Sequence, residues 1–318
     1  MNLNVNFCGI DFPNPTVVAS GYLGVTGASL ANCVSNGAGG VTGKTLFMNE
    51  RPGHPNPTIL TFPGGVINAV GLSGEGIKNA KHEFEKYREM APDNPLIGSI
   101  GGHGLDELIE VARIMDEYPV DMLELNFSCP NVEGEMGKPI ACDPMLTAQA
   151  TKAIRKVVKK PISVKVSPNV PDISLVAKHA EANGADAITA INTMGPGMVI
   201  DINMRRPILA NKVGGVSGHA IKPIAVKCVW DIYRATKLPI IATGGIINGK
   251  DAIEMLMAGG SLLGIGSAIV YHDLKCFDMI TDKIRAFMKD EGFTDVSELV
   301  GLAHEEGFDR DKLPASFS

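Results

Sequence analysis

Short apolar runs recur along the chain. Most are followed by a stretch whose apolar positions return every three or four residues. The runs at 16–20, 40–43, 96–100, 120–125, 162–166, 187–191, 239–242 and 262–266 read as short buried strands. The stretches at 28–35, 76–90, 105–117, 145–159, 173–182, 223–236 and 252–257 read as helices, and helical turns continue to about residue 303. Eight strands, most of them followed by a helix, predict a closed parallel (β/α)8, or TIM, barrel, an architecture that needs ~250 residues. A doubly wound open sheet is the competing fold, but no Gly-x-Gly-x-x-Gly follows the first strand. The surplus length falls in two long segments, 51–65 with Pro52, Pro55, Pro57 and Pro63, and 194–218. Both are expected as loops at the C-terminal face. No linker or shift in composition divides the chain, so residues 1–308 are expected to form one domain and 309–318 a poorly ordered tail.

Composition narrows the function classes. The 318 residues are 45% apolar with a net charge of −6, and no basic run suggests a nucleic-acid surface. No apolar stretch approaches ~18 residues, and the first residues lack the basic and apolar regions of a secretion signal, so neither membrane nor export is expected. The cysteines, at 8, 33, 129, 142, 228 and 276, form no Cys-x-x-Cys pair. That spacing argues against a zinc site or a chain-borne iron–sulfur cluster and suits a reducing cytoplasm.

The candidate chemistry collects where the strands end. Ser20, Lys44, Ser99, Asn126, Lys165, Asn192, Gly244 and Gly266 all lie at or near C-terminal strand ends, the face on which barrel enzymes build their sites. In Ser163-Val164-Lys165-Val166-Ser167, alternation turns Lys165 away from the two valines. A lysine inside a barrel needs an anionic partner, and the alternative is a side chain that snorkels to solvent; Lys44 faces the same choice. Gly244-Gly245 and Gly264-Ile265-Gly266-Ser267 close strands seven and eight. There, backbone N–H groups can converge on a phosphate, although Gly-Gly alone is also an ordinary turn. Asn68, Asn126, Asn131 and Asn192 offer paired donors and acceptors suited to a cyclic imide or amide. Cys129 stands in a polar loop between Ser128 and Pro130, where packing has little use for a thiol. His103, His219 and His272 have no partners at ligand spacing, so no metal is expected.

Asn126-Phe127-Ser128-Cys129-Pro130-Asn131, with Lys165-Val166-Ser167-Pro168-Asn169, Asn192-Thr193, Gly215-Val216-Ser217-Gly218 and Gly244-Gly245, resembles dihydroorotate dehydrogenase in order and spacing from about residue 3 to 303. The loop cysteine points to class 1, since the membrane-bound class 2 enzymes use serine. The segments 207–211 and 217–223 are similar to class 1B. The resemblance implies FMN over the barrel mouth, contacted by Ser20, Lys44, Thr45, Ser99, Asn126, Lys165, Ile191, Gly218, Gly244, Gly245, Gly266 and Ser267. It implies a pyrimidine faced by Lys44, Asn68, Ala69, Val70, Gly71, Leu72, Asn126, Asn131, Asn192 and Thr193. Ser99 is a departure, since an asparagine is usual there, and residues 133–140 differ in detail.

In the implied reaction dihydroorotate is oxidised to orotate. Cys129 takes the C5 proton, hydride leaves C6 for the flavin, and Lys165 and Lys44 supply positive charge. Residues 133–140 are the expected lid. Class 1B further implies a homodimer core joined by two partner subunits carrying FAD and a [2Fe-2S] cluster that lead to NAD, with fumarate or a quinone as other possible oxidants. Two rival readings stay open: a dihydropyrimidine dehydrogenase-like flavin enzyme acting on uracil or thymine, and a non-redox barrel that binds a phosphorylated metabolite.

Overall fold

The computed structural model describes residues 1–127 and 140–304. In chain order the elements are β1 Val5–Phe7, β2 Ile10–Phe12, β3 Thr16–Val18, α1 Gly27–Ser35, β4 Gly40–Thr42, β5 Ile59–Phe62, β6 Gly65–Asn68, α2 Ile77–Met90, β7 Leu96–Ile100, α3 Leu105–Asp116, β8 Met122–Asn126 and α4 Pro144–Arg155. There follow β9 Ile162–Val166, α5 Ile173–Ala182, β10 Ala187–Ala190, β11 Met194–Gly197, β12 Ile200–Asp201, β13 Arg206–Pro207, β14 Gly214–Ser217, α6 Lys222–Ala235, β15 Ile240–Thr243, α7 Gly249–Met257, β16 Leu262–Ile265, α8 Ser267–His272 and α9 Cys276–Glu291.

The strands β3, β4, β7, β8, β9, β10, β15 and β16 pair in that order and close into a parallel barrel. Each of the eight has a neighbour on both sides and helices outside, so both faces are covered; β7, β9, β10 and β16 are buried at every position. The tail expected at 309–318 lies outside the described residues.

Inward-facing positions form layers. At the N-terminal end Val17, Ile97, Met122, Ala187, Ile241 and Leu262 make an apolar floor, sealed from below by Phe7 and Phe12 of the β1–β2 hairpin. The two rings meet edge to face at 6.3 Å. Two residues further along each strand the interior turns polar, with Ser99, Glu124, Ser163 and Thr189 all buried. This gradient from apolar floor to polar mouth directs chemistry to the C-terminal end.

The segments 51–65 and 194–218 are more ordered than their proline and glycine content suggests. The first contains β5 and leads into β6, and the second contains β11 to β14. Together β11, β14, β6 and β5 make an antiparallel four-stranded sheet, in which Gly215 faces Asn68 and Ser217 faces Val66. Pro63-Gly64 supplies the turn between β5 and β6, with Gly64 at φ +84. In the first segment the prolines border the strands; in the second, Pro196 lies within the edge strand β11 and Pro207 ends β13. Helix α4 ends at Arg155, earlier than the expected 159. Its guanidinium folds back on the carbonyl oxygens of Val158 and Lys160, and Pro161 follows.

Candidate active site

The end of β8 brings the central polar stretch into the barrel. Asn126 is the last residue of that strand, and Phe127 beyond it is buried. The chain returns at Ala141, whose N–H donates to the Phe127 carbonyl at 2.9 Å. Cys129 and Asn131, with residues 133–139 of the expected lid, lie outside the described residues.

Lys165 points into the barrel. It is 5% exposed, and its Nζ donates to Glu124 Oε1 at 3.4 Å. Glu124 is itself 2% exposed and is the acid inside the fourth apolar run. The register explains the meeting: Asn126 faces Lys165 and Glu124 faces Ser163, so the acid and the lysine lie diagonally on adjacent strands with side chains on one face.

Around this pair runs a chain of hydrogen bonds. Ser99 Oγ donates to Glu124 Oε1 at 3.2 Å, and Thr45 Oγ1 lies 2.9 Å from Ser99 Oγ. Asn126 Nδ2 donates to Thr45 Oγ1 at 3.1 Å, and Asn192 Nδ2 donates to Asn126 Oδ1 at 3.2 Å. Ser20 Oγ sits 3.1 Å from Thr45 Oγ1 and donates to the Gly43 carbonyl at 3.0 Å. The backbone N–H of Thr193 donates to Asn192 Oδ1 at 2.8 Å. Ser20, Thr45, Ser99, Asn126, Lys165, Asn192 and Thr193 are thus brought together at one end of the barrel.

A cleft lies over this cluster. It is lined by Lys165, Ile191, Asn192 and Thr193 together with Gly218, Gly244, Gly245, Gly266 and Ser267, with Ser20, Tyr22, Ser217 and Thr243 also in its wall. Backbone conformation accounts for the glycines. Gly244 and Gly245 have φ of +129 and +76, and a Cβ at Gly245 would come within 2.5 Å of the Lys222 side chain. Thr243 Oγ1 is buried in that wall without a hydrogen-bond partner among the described residues. A buried hydroxyl without a partner is costly, and the glycines leave backbone unshielded beside it. The arrangement suits a long ligand with an anionic group among the glycines and a polar ring beside Lys165.

Lys44, between Gly43 and Thr45 in the chain, lines a second, larger cavity of about 330 Å³ with Gly24, Leu30, Ser73, Gly74, Glu83 and Phe84. Burial lowers its pKa below the ordinary lysine value, and among the described residues no carboxylate pairs with it. Asn68 reaches toward the Gly215 carbonyl at 3.5 Å from β6. Ala69 to Leu72 form the turn that follows, with Gly71 at φ +78 and Leu72 at +55. Leu72 packs on Phe47. Asn68 and residues 69–72 line neither cavity, and they lead directly into Ser73 and Gly74 of the larger one. Ser99 also lines neither; it is fully buried beneath the cleft.

Among the described cysteines, Cys33, Cys228 and Cys276 are buried and Cys8 and Cys142 are half-buried. Burial pushes Cys8 and Cys276 up to about 12, and Cys33 and Cys228 up to about 11. Among the described residues no group of acids, histidines and cysteines could hold a metal ion. No helix among them is long and apolar enough to cross a membrane.

Sequence reasoning did not assign Glu124, Tyr22 and Thr243 to the site. For Glu124 a signal was present: a single acid in an apolar strand, two positions before Asn126 and therefore on the same face. Thr243, directly before the Gly-Gly pair, gave no pattern of its own.

The dihydroorotate dehydrogenase family model matches residues 2–288. The chain is 46% identical over 305 residues to a protein of Methanocaldococcus jannaschii named the catalytic subunit of dihydroorotate dehydrogenase B (NAD(+)), covering 95% of this chain and 98% of the relative. A protein of the same name from Methanothermobacter thermautotrophicus is 44% identical, over 95% and 99% of the two chains. Another, from Pyrococcus horikoshii, is 41% identical over 95% and 97%.

Proposed function

The chain belongs to the dihydroorotate dehydrogenase family, and from that membership we propose that it oxidises dihydroorotate to orotate in pyrimidine biosynthesis as the catalytic subunit of a class 1B enzyme. The observation that carries the reading beyond the family is the cluster of Lys165, Asn126, Asn192 and Thr193 beside a glycine-lined cleft. FMN fits that cleft by the chemistry of its donors. Gly218, Gly244, Gly245, Gly266 and Ser267 would hold the phosphate, Thr243 offers a hydroxyl in need of a partner, and Lys165 and Asn126 would meet the ring. When bound, FMN supplies a hydride acceptor.

The chain's own groups divide the remaining work. Asn126 and Asn192, fixed by their mutual hydrogen bond, orient an amide-rich ring. Cys129, on the segment that leaves from Phe127, takes the C5 proton. Lys165 holds positive charge where negative charge develops. Lys44, with Asn68 and residues 69–72 leading toward its cavity, faces the substrate carboxylate. Lys44's depressed pKa then gives a pH dependence with a definite sign. Its charged form, which attracts the carboxylate, is lost at a lower pH than for an ordinary lysine. Orotate affinity is expected to fall as pH rises through that lowered pKa, and Lys44→Met is expected to abolish this step and weaken binding roughly tenfold or more. Orotate titrations across alkaline pH check this; an unchanged step in the variant removes Lys44 from the site.

This chain carries no Cys-x-x-Cys motif or dinucleotide fingerprint of its own. We therefore propose that electrons leave through a partner subunit carrying FAD and a [2Fe-2S] cluster toward NAD, with a homodimer of this chain at the core, in the cytoplasm. The test is to purify the chain with FMN and offer dihydroorotate or dihydrouracil with a dye acceptor. Turnover of dihydroorotate alone supports the proposal. Turnover of dihydrouracil favours a dihydropyrimidine dehydrogenase, and a folded protein that binds no flavin sinks both. Adding NAD with and without the partner subunit tests the route of the electrons.

A further inference from the structure

Glu124 is a carboxylate held inside the barrel, where charge is expensive. Its contact with Lys165 is single and long, 3.4 Å against the roughly 2.7–2.9 Å of a tight charge-assisted bond. An ammonium has three donors, so Lys165 is held by the carboxylate without being saturated by it.

The hydrogen-bond chain has a direction. Ser99 gives its one hydroxyl proton to Glu124, and Thr45 has one proton for its two hydroxyl neighbours; the shorter contact, 2.9 Å to Ser99 against 3.1 Å to Ser20, makes Thr45 the donor to Ser99. Thr45 in turn accepts from Asn126, and Asn126 accepts from Asn192. Every donor in the series Asn192, Asn126, Thr45, Ser99 points toward the same carboxylate. Such a chain is polarised by its charged terminus, so one buried acid orders both the cation and the two amides of the mouth.

We propose that Glu124 is a positioning residue for the reaction. It tethers Lys165, fixes the amide orientation of Asn126 and Asn192 through Ser99 and Thr45, and cancels the lysine's charge so that the floor of the cleft is neutral before negative charge develops above it. This rests on the reading of the cleft as a flavin and pyrimidine site. Lys165, with donors to spare, can then be shared between Glu124 and a ligand that becomes anionic, without an uncompensated cation waiting beneath a neutral one.

The test uses Glu124→Gln, which keeps the shape and an acceptor oxygen but removes the charge. In protein loaded with FMN, the expected result is a floor that is net positive. The reduced-to-oxidised flavin ratio at a fixed dye potential rises about tenfold, and orotate, an anion, binds about tenfold more tightly, the scale of one unit charge at close range in a partly buried site. Turnover falls despite the tighter product binding. Glu124→Asp restores the charge and is expected to return the ratio toward wild type. If Glu124→Gln alone does not fold, the sign is read in the Lys165→Met background, where neutralising the orphaned carboxylate also raises the ratio.

A Glu124 that merely packs would give the opposite pattern, with weaker FMN and orotate binding and no rise in the ratio in either background; that result overturns the proposal. Failure of the underlying reading looks different, because wild-type protein would then not take up FMN at all.

Discussion

Cys129→Ala is expected to lower dihydroorotate turnover by about 10²–10⁴-fold, the usual contribution of a placed general base, while FMN and orotate still bind. β8 delivers Asn126 to the cluster and Phe127 to a buried site, and Ala141, where the described chain resumes, is hydrogen-bonded to Phe127. Both described ends of the stretch that carries Cys129 in the sequence therefore lie beside Asn126. Cys33, Cys228 and Cys276 are buried and Cys8 is half-buried, none of the four lines the cleft, and burial raises the pKa of each thiol, so they are poor substitutes. A thiol of ordinary pKa ~8.5 is mostly protonated at neutral pH. Wild-type turnover is therefore expected to climb with pH toward that value, and the alanine variant to lose the climb. Steady-state rates over a pH series, with flavin and orotate titrations on the same preparations, check both. Turnover near wild type in the variant would remove Cys129 as the base.

Lys165→Ala is expected to act twice. It removes the cation proposed to stabilise negative charge over the cleft, and flavin reduction by dihydroorotate slows on the order of 10²–10³-fold, as when a placed electrostatic donor is deleted. It also strands Glu124, buried with no cation beside it among the described residues. Breaking a buried pair from one side costs about 3–5 kcal/mol of stability. The two effects separate experimentally. Stopped-flow reduction reads the first and denaturant unfolding the second. Adding Glu124→Gln is expected to recover much of the stability and little of the rate. A single variant that reduces as fast as wild type would end the catalytic role, whatever its stability.

Much of the scaffold was legible because barrel strands are short, buried on both faces and punctuated by helices. The runs at 96–100 and 162–166 coincide with β7 and β9 to the residue. Alternation turned Lys165 away from Val164 and Val166 and left the interior or solvent as its destination; its burial shows the interior. The additional sheet was not legible, because its central pairing joins β6 to β14 across roughly half the chain, and prolines and glycines at its borders imitate loops. The β1–β2 hairpin was missed although it left a signal, two short alternating runs around Cys8-Gly9, both at positive φ. The counter-ion of Lys165 needed the relative register of two strands. No sequence period reports that register, and only closure of the barrel sets it. The resemblance set Lys44 and Asn68 to Leu72 against the pyrimidine; of these, Lys44 lines the neighbouring cavity and Asn68 to Leu72 lead into its wall at Ser73.

The two phenylalanines that stop the lower end of the barrel have a consequence for traffic. A vessel sealed at its base has a single doorway, so whatever enters must go out the way it came. Spent product and fresh reactant then queue for one passage, and accumulating orotate is expected to obstruct its own precursor by occupancy alone.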